Sequence, residues 1–297
     1  MISVIMPTRN SSKTIEKSVN SLLAQTFSDF ELMLLDDNDL EEESQLLGEI
    51  TKSDPRIKLI KLSENRKTFG HIGGLLNLGI KNSSGSFIAR QDADDFSLPH
   101  RFQEQIIALN RMNLDLIGSQ ALFMNNNFNY ESISELPIKH LDISQYAHYA
   151  NPFIHSSIMF RRSILATLDG YDENLSTGQD YELWIRVIQS GFKVANTKSP
   201  LVLVMRHAES ISSRISVENH NQNITIILGK DRSMNYRKEY FLKKALVIEK
   251  IRQRKYRGLV NLESLRVLVR LGLLYINGYI LFYGRAHKII SNRRKIK

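Results

Sequence analysis

Across the first 120 residues, short runs of β-branched and aliphatic residues alternate with stretches whose apolar positions recur at helical spacing. Ile2–Met6 reads as a strand, Ser12–Ala24 as an amphipathic helix, Glu31–Leu35 as a second strand, Leu40–Lys52 as a helix and Ile57–Leu62 as a third strand. Ile72–Lys81 then predicts a helix and Ser86–Ala89 a fourth strand. Such a βαβ series implies an α/β fold with a mainly parallel sheet and helices on both faces. Ligands of these sheets bind beyond the carboxyl ends of the strands. Those positions hold Pro7-Thr8-Arg9-Asn10, Asp36-Asp37-Asn38-Asp39, Ser63-Glu64-Asn65-Arg66 and Gln91-Asp92-Ala93-Asp94-Asp95. Acids and turn formers therefore gather at one edge, with the ends of strands one, two and four expected side by side.

From about Leu114 to Val204 the pattern turns mixed, with a hairpin around Asn125–Asn129, a strand at Ser156–Phe160 and a helix at Asp180–Ser190. Beyond about Gly229 the chain reads as a helical, Lys/Arg-rich appendage, which divides it into a domain over residues 1–229 and an extension over 230–297. Charge follows that division: residues 1–229 hold 21 Lys+Arg against 27 Asp+Glu, whereas residues 230–297 hold 19 against 4. The net charge of +9 thus belongs to the extension, which should seek phosphates on lipid or nucleic acid. With no cysteine, the chain has no disulfide framework, Cys-ligated zinc or thiol nucleophile. The opening Ile2–Met6 run lacks the basic flank of a signal peptide, and the longest uncharged apolar stretch, Leu271–Tyr283, is short of the roughly 20 residues of a membrane span.

Asp92, Asp94 and Asp95 place three carboxylates within four residues. Like charges that close repel strongly unless a cation sits among them, and oxygen ligands with few protein donors suit Mg²⁺ or Mn²⁺. The alternative is an acidic helix cap before Pro99. Asp36-Asp37 closes the second strand in the same way, as a ligand contact or as a loop cap. Asp180 opens a helix whose Leu183, Trp184, Val187 and Ile188 face a core; it either complements the helix dipole or serves as a base. His207 is either a loop histidine or a metal ligand.

Five ordered stretches together resemble glycosyltransferase family 2, the GT-A nucleotide-sugar transferases. They are Ser3-Val4-Ile5-Met6-Pro7-Thr8-Arg9-Asn10, the Ser21–Leu32 run into Leu35-Asp36-Asp37-Asn38, Gly85–Asp95, Gly170-Tyr171-Asp172-Glu173, and Gln179–Arg186, with Arg206-His207 after them. The likeness covers about residues 1–215 and implies a GT-A, Rossmann-like fold. It implies that Pro7, Thr8 and Arg9 border the nucleotide base and ribose, that Asp37, beside Asp36, accepts from uracil N3, and that Arg66 approaches the diphosphate. Asp92-Ala93-Asp94 matches the Asp-X-Asp motif, with Asp94 the direct metal ligand; His207 matches a late metal-binding histidine and Asp180 the catalytic base. Gln179 stands where the family carries an acid before that base, and Arg9 where many relatives carry an aromatic residue. The Gln-X-X-Arg-Trp mark of processive relatives is absent, since the only tryptophan is Trp184.

The resemblance implies an inverting, Mn²⁺- or Mg²⁺-dependent transfer of a sugar, from a UDP-sugar, to a saccharide or lipid-linked acceptor in surface polysaccharide synthesis. Lys243, Lys244, Lys250, Arg252, Arg254, Lys255 and Arg257, with Leu262, Leu265, Val269, Ile276 and Ile280 at helical spacing, read as an interfacial helix on an anionic membrane, or as a helix packed back on the domain. The membrane reading implies a cytoplasmic protein peripheral to the inner face, with no nucleic acid partner. Two rivals are a nucleic-acid-binding protein using Tyr236, Tyr240, Phe241 and Tyr256 as stacking platforms, and a sugar nucleotidyltransferase. Against the latter, residues 1–30 contain no glycine for a phosphate-binding loop.

Overall fold

The structure is a computed structural model that describes residues 1–38, 40–62, 71–148 and 150–206. Arg66, His207, the boundary at Gly229 and the whole basic extension lie outside the described residues. The described part begins with β1 (Ile2–Thr8), α1 (Ile15–Leu23), β2 (Phe30–Asp36), α2 (Glu41–Ser53), β3 (Ile57–Lys61), α3 (Ile72–Lys81) and β4 (Phe87–Arg90). There follow β5 (Phe96–Ser97), α4 (Arg101–Arg111), the hairpin of β6 (Leu116–Asn125) and β7 (Tyr130–Ile133), α5 (His140–Tyr146), β8 (Met159–Arg161), α6 (Leu165–Leu168), α7 (Gln179–Gln189) and β9 (Val194–Arg206).

These strands form a nine-stranded sheet in the order β3-β2-β1-β4-β8-β6-β9-β5, with β7 paired to β6. The first four run parallel, so β2, β1 and β4 end side by side as expected. Antiparallel β8 then joins β4 to β6, and β9 runs parallel to β6. Because successive strand residues point to opposite faces, β1 and β2 feed two cores. Val4, Met6, Leu32 and Leu34 pack with Val19, Leu22, Leu47 and Phe102 on one face. Ile5, Met33 and Leu35 pack with Leu76, Leu183 and Trp184 on the other, which accounts for helices on both sides. Gly79 lets α3 lie close on the sheet, since a Cβ there would stand 2.8 Å from a Leu35 methyl and 3.0 Å from Ile5.

Two local readings differ from expectation. The strand expected at Ser156–Phe160 is half a 3₁₀ turn, His155–Ser157, because the backbone amide and the hydroxyl of Ser157 both donate to Ile154 O, at 2.9 and 2.8 Å. The 13-residue β9 was not anticipated from the mixed pattern, since Lys198-Ser199-Pro200 interrupts its alternation. Register shifts on either side of Gln120 absorb that interruption, placing Pro200, which has no N–H to offer, at an irregularity of the ladder.

Candidate active site

Four chain segments converge at the carboxyl edge of β1, β2 and β4. The first two meet through backbone and side-chain bonds: Asp37 N donates to Thr8 O at 3.0 Å, and Asn10 N to Asn38 Oδ1 at 2.8 Å. Thr8 is fully buried with its hydroxyl on Leu35 O at 3.0 Å, so it ties β1 to β2 and presents no surface to a ligand. Asp36 is also buried and accepts from both the backbone and the side-chain amide of Asn38, at 3.1 and 2.9 Å. Its carboxylate shapes the loop. Arg9 and Asp37 remain at the rim, their charged ends 3.6 Å apart, beside the half-buried Pro7.

The acid loop after β4 rests on a buried basic floor. Arg90 is 2% exposed and donates to Asp92 Oδ1 at 2.5 Å, while its other terminal nitrogen contacts Gln91 O. Arg101, fully buried at the start of α4, donates to Gln91 Oε1 and Ser97 Oγ at 2.9 and 2.8 Å, and to the carbonyls of Arg90 and Ile158 at 2.8 and 3.1 Å. Asp95 turns inward and accepts from Met205 N at 3.0 Å, fastening the loop to the end of β9. Ala93 is buried between the two remaining acids, and Asp92 and Asp94 stay partly open at the mouth. Asp92 is surrounded by protein yet keeps 37% of its side chain accessible, so the cleft floor is recessed and not sealed. Burial pushes the Asp92 carboxyl up; Arg90 pulls it back, and Asp94 pushes it up again.

Asp180 reaches the same cleft from the first turn of α7. Gly178, in the left-handed conformation at φ 78°, turns the chain into that helix. The Asp180 carboxyl is raised chiefly by burial and lowered by the Tyr181 amide and the Asn151 side chain, whose Nδ2 lies 2.6 Å from Oδ2. The charge of Asp92 raises it further.

Tyr171 and His155 line the wall between them. Asn77 of α3 holds the Gly170-Tyr171 turn by pairing with both backbone groups of Tyr171, each at 2.9 Å. Tyr171 OH lies 3.0 Å from His155 Nε2. Burial, reinforced by the Arg90 charge, holds the histidine well below its ordinary range, so it is neutral at pH 7.

The structure thus brings together Pro7, Arg9, Asp37, Asp92, Asp94 and Asp180. It assigns Thr8 and Asp36 to holding the loops. Sequence reasoning gave no role to Arg90, Asn151, His155 and Tyr171; Arg90 and Tyr171 stand within the Gly85–Asp95 and Gly170–Glu173 stretches, whereas Asn151 and His155 belong to no motif. Among the described residues no three His, Asp or Glu side chains form a ready cation site. Asp92 and Asp94 supply two oxygen donors whose mutual repulsion a cation would relieve, so the donor set fits Mn²⁺ or Mg²⁺, and the expected third ligand, His207, lies outside the described residues. A shallow depression of about 620 Å³ lined by Ile80, Ser86, Arg161 and Arg162 opens at the other end of β4. Both guanidiniums there are taken up by carbonyls, of Leu114 and Gly85, and no chemistry gathers around them.

Among solved structures, the TarS protein of Staphylococcus aureus in complex with UDP-GlcNAc shares the fold with a TM-score of 0.61 at 18% identity, over 82% of this chain and 71% of that one. A mannosyltransferase of Pyrobaculum calidifontis in complex with GDP-Man and Mn²⁺ gives 0.58 at 13% identity, over 99% and 82%. The GT-A fold expected from the sequence is borne out. In sequence, the O-antigen biosynthesis glycosyltransferase WbnJ of Escherichia coli is 31% identical over 189 residues, 63% of this chain and 72% of the relative. The amylovoran biosynthesis glycosyltransferase AmsE of Erwinia amylovora is 27% identical over 216 residues, 72% and 79%. The family model for glycosyl transferase family 2 matches residues 3–168, more than half the chain and every strand of the sheet but β9, and this protein is a glycosyltransferase of that family.

Proposed function

We propose that the enzyme moves a sugar from a nucleotide-sugar, a UDP-sugar, to a hydroxyl of a saccharide or lipid-linked acceptor in polysaccharide synthesis, with inversion and without processive repetition. The observation that carries this reading is a base candidate, Asp180 held by Asn151, within electrostatic reach of the acid loop at Asp92, itself held by Arg90. The O-antigen and amylovoran enzymes among its relatives support the pathway class, and the UDP-GlcNAc and GDP-Man complexes of its structural neighbours support the donor class.

The residues divide the work as follows. Arg9 and Asp37 at the rim receive the nucleotide, Asp37 accepting from the N3–H of uracil. Asp94 and Asp92 would hold Mn²⁺ or Mg²⁺, with His207 as the third protein ligand; when bound, the cation offsets charge on the departing diphosphate. Arg90 already occupies one oxygen of Asp92, and Asp94 is proposed as the direct ligand on its position in the Asp-X-Asp motif. Asp180 takes the proton from the acceptor hydroxyl as that oxygen attacks the sugar carbon from the face opposite the diphosphate, so inversion occurs in one step with no sugar–enzyme bond. Arg66 is proposed for the diphosphate on its sequence position alone. The charge of the 230–297 extension supports a peripheral contact with an anionic membrane at its cytoplasmic face; among the described residues no helix is long and apolar enough to cross one.

The test is thermal unfolding of the full chain with UDP, GDP and ADP, each with and without Mn²⁺. Ligand at a hundred times its Kd stabilises the native form by about 2.7 kcal/mol. A Mn²⁺-dependent rise with UDP that Asp94→Asn abolishes is expected. A rise with GDP alone would replace uridine by guanosine in the proposal, and no metal-dependent rise with any of the three would remove the cleft from nucleotide binding.

A further inference from the structure

Asn151 belongs to none of the motifs that mark the acid edge, yet it makes a direct side-chain bond to the proposed base. Its Nδ2 donates to Asp180 Oδ2 at 2.6 Å. Its Oδ1 accepts from Phe153 N at 3.2 Å, and this second bond decides which end of the amide faces Asp180, because a backbone N–H can only donate. The loop that carries it is held from two sides. Asn196 of β9 donates to Pro152 O at 3.0 Å. Phe153 and His155 pack edge-on against Trp184, with ring centroids 5.8 and 6.1 Å away.

Trp184 stands four residues after Asp180, so the two side chains lie on one face of α7, one turn apart. The loop therefore grips the helix twice, by an aromatic wedge at Trp184 and by an amide at Asp180. The amides of Asp180 itself and of Tyr181 also favour the charged carboxylate.

We propose that Asn151 is a positioning residue for the transfer: its amide, set by the turn to Phe153, holds the Asp180 carboxylate aimed at the acceptor hydroxyl. This rests on the reading of Asp180 as the base. The other charged or titratable groups whose influence reaches this pair are Asp92 from the acid loop, Tyr171 from the wall and, through Tyr171, Arg90. A donated hydrogen bond favours the charged carboxylate, so its loss moves the acid limb of the rate profile to higher pH.

The test compares Asn151→Ala, Asn151→Asp and Asp180→Asn in the full-length enzyme with Mn²⁺, following UDP release from UDP-glucose, UDP-galactose and UDP-N-acetylglucosamine. Asn151→Asp keeps the acceptor for Phe153 N and so keeps the turn, but its carboxylate has no N–H to give; it decides the matter even if Asn151→Ala fails to fold. Both Asn151 variants should lower kcat on the order of 10- to 100-fold, with the KM for the UDP-sugar within about twofold of wild type. The acid limb of kcat should move upward, and further in Asn151→Asp because a negative charge is added. Wild-type kcat and an unmoved limb in a folded Asn151→Asp enzyme would overturn the positioning role while Asp180→Asn stays inactive. Full turnover by Asp180→Asn would instead overturn the base assignment, and the positioning role with it.

Discussion

Replacing Glu31 by Gln should destabilise the protein by about 2–3 kcal/mol at pH 7, and the deficit should shrink in acid. Glu31 is buried at the start of β2, at the opposite end of the strand from the cleft. Its Oε1 accepts from Ser3 Oγ at 2.7 Å, Ser84 N at 2.6 Å and Ser84 Oγ at 3.0 Å, while Oε2 accepts from Lys58 Nζ at 2.6 Å. One side chain thus joins β1, β2, β3 and the loop before β4. Burial alone would push its carboxyl up, but Lys58, Ser3 and Ser84 together overcome burial and hold it at about 2, against 4.5 when free. At about 1.4 kcal/mol per unit that depression is worth roughly 3 kcal/mol, trimmed because Lys58 is 53% exposed and screened by solvent.

A depressed carboxyl contributes its stability above the unfolded value of 4.5 and loses it as pH falls toward 2. The glutamine chain keeps an acceptor for the serines but turns an NH₂ toward Lys58, and it does not titrate. Urea unfolding followed by the fluorescence of Trp184, the single buried tryptophan, measures both proteins at pH 7 and pH 3. The deficit should fall to under about half its neutral value by pH 3. A gap below about 0.5 kcal/mol at pH 7, or one that stays constant between the two pH values, would refute the reasoning. Transfer per folded molecule should be unchanged, which makes this variant the control for fold against chemistry.

Asp180→Asn should reduce transfer by about 10²–10⁴-fold, measured as UDP release, while the Mn²⁺-dependent thermal shift with UDP persists. The same variant should melt no lower than wild type, because it removes a carboxylate whose burial disfavours its charge. Asp37→Ala should narrow the difference between the UDP and ADP thermal shifts without touching the dependence on Mn²⁺; an unaltered preference for UDP would place base recognition elsewhere.

The parallel half of the fold was legible because its signals are local. Ile2–Thr8 and Phe30–Asp36 are strands buried on both faces, and such strands read as continuous apolar runs. Ile72–Lys81 carries an apolar stripe at helical spacing and folds over those residues. The acid cluster was legible for a related reason: few uses other than a cation or a helix cap tolerate Asp92, Asp94 and Asp95 so close together. Asn151 and His155 were not legible, since their meaning depends on α7, some thirty residues further along, and short polar side chains in an apolar run carry no spacing of their own. Thr8 and Asp36 show the opposite limit. They stand beside rim residues in sequence, but strand alternation and a local turn point them inward.

The basic floor explains how a sheet edge tolerates so much negative charge before any cation arrives. A buried carboxylate without a partner costs several kcal/mol and responds by taking up a proton. Asp95 is driven in that direction by burial and by the charges of Asp92 and Asp94, and it is held by the Met205 amide and the Ser156 hydroxyl. Arg101 is buried beneath with all of its terminal nitrogens engaged; burial pulls its pKa down to about 9, and Asp95 offsets only part of that fall. Arg90 does the corresponding service for Asp92 at the mouth. Fixed cations below the loop therefore offset part of the charge of Asp92 and Asp95. The bond from Met205 N then sets where β9 ends relative to the acids, one residue before Arg206, whose guanidinium lies 4.0 Å from the Phe123 ring and 3.7 Å from Glu131. The end of β9 is thereby pinned on two sides beside the acid loop.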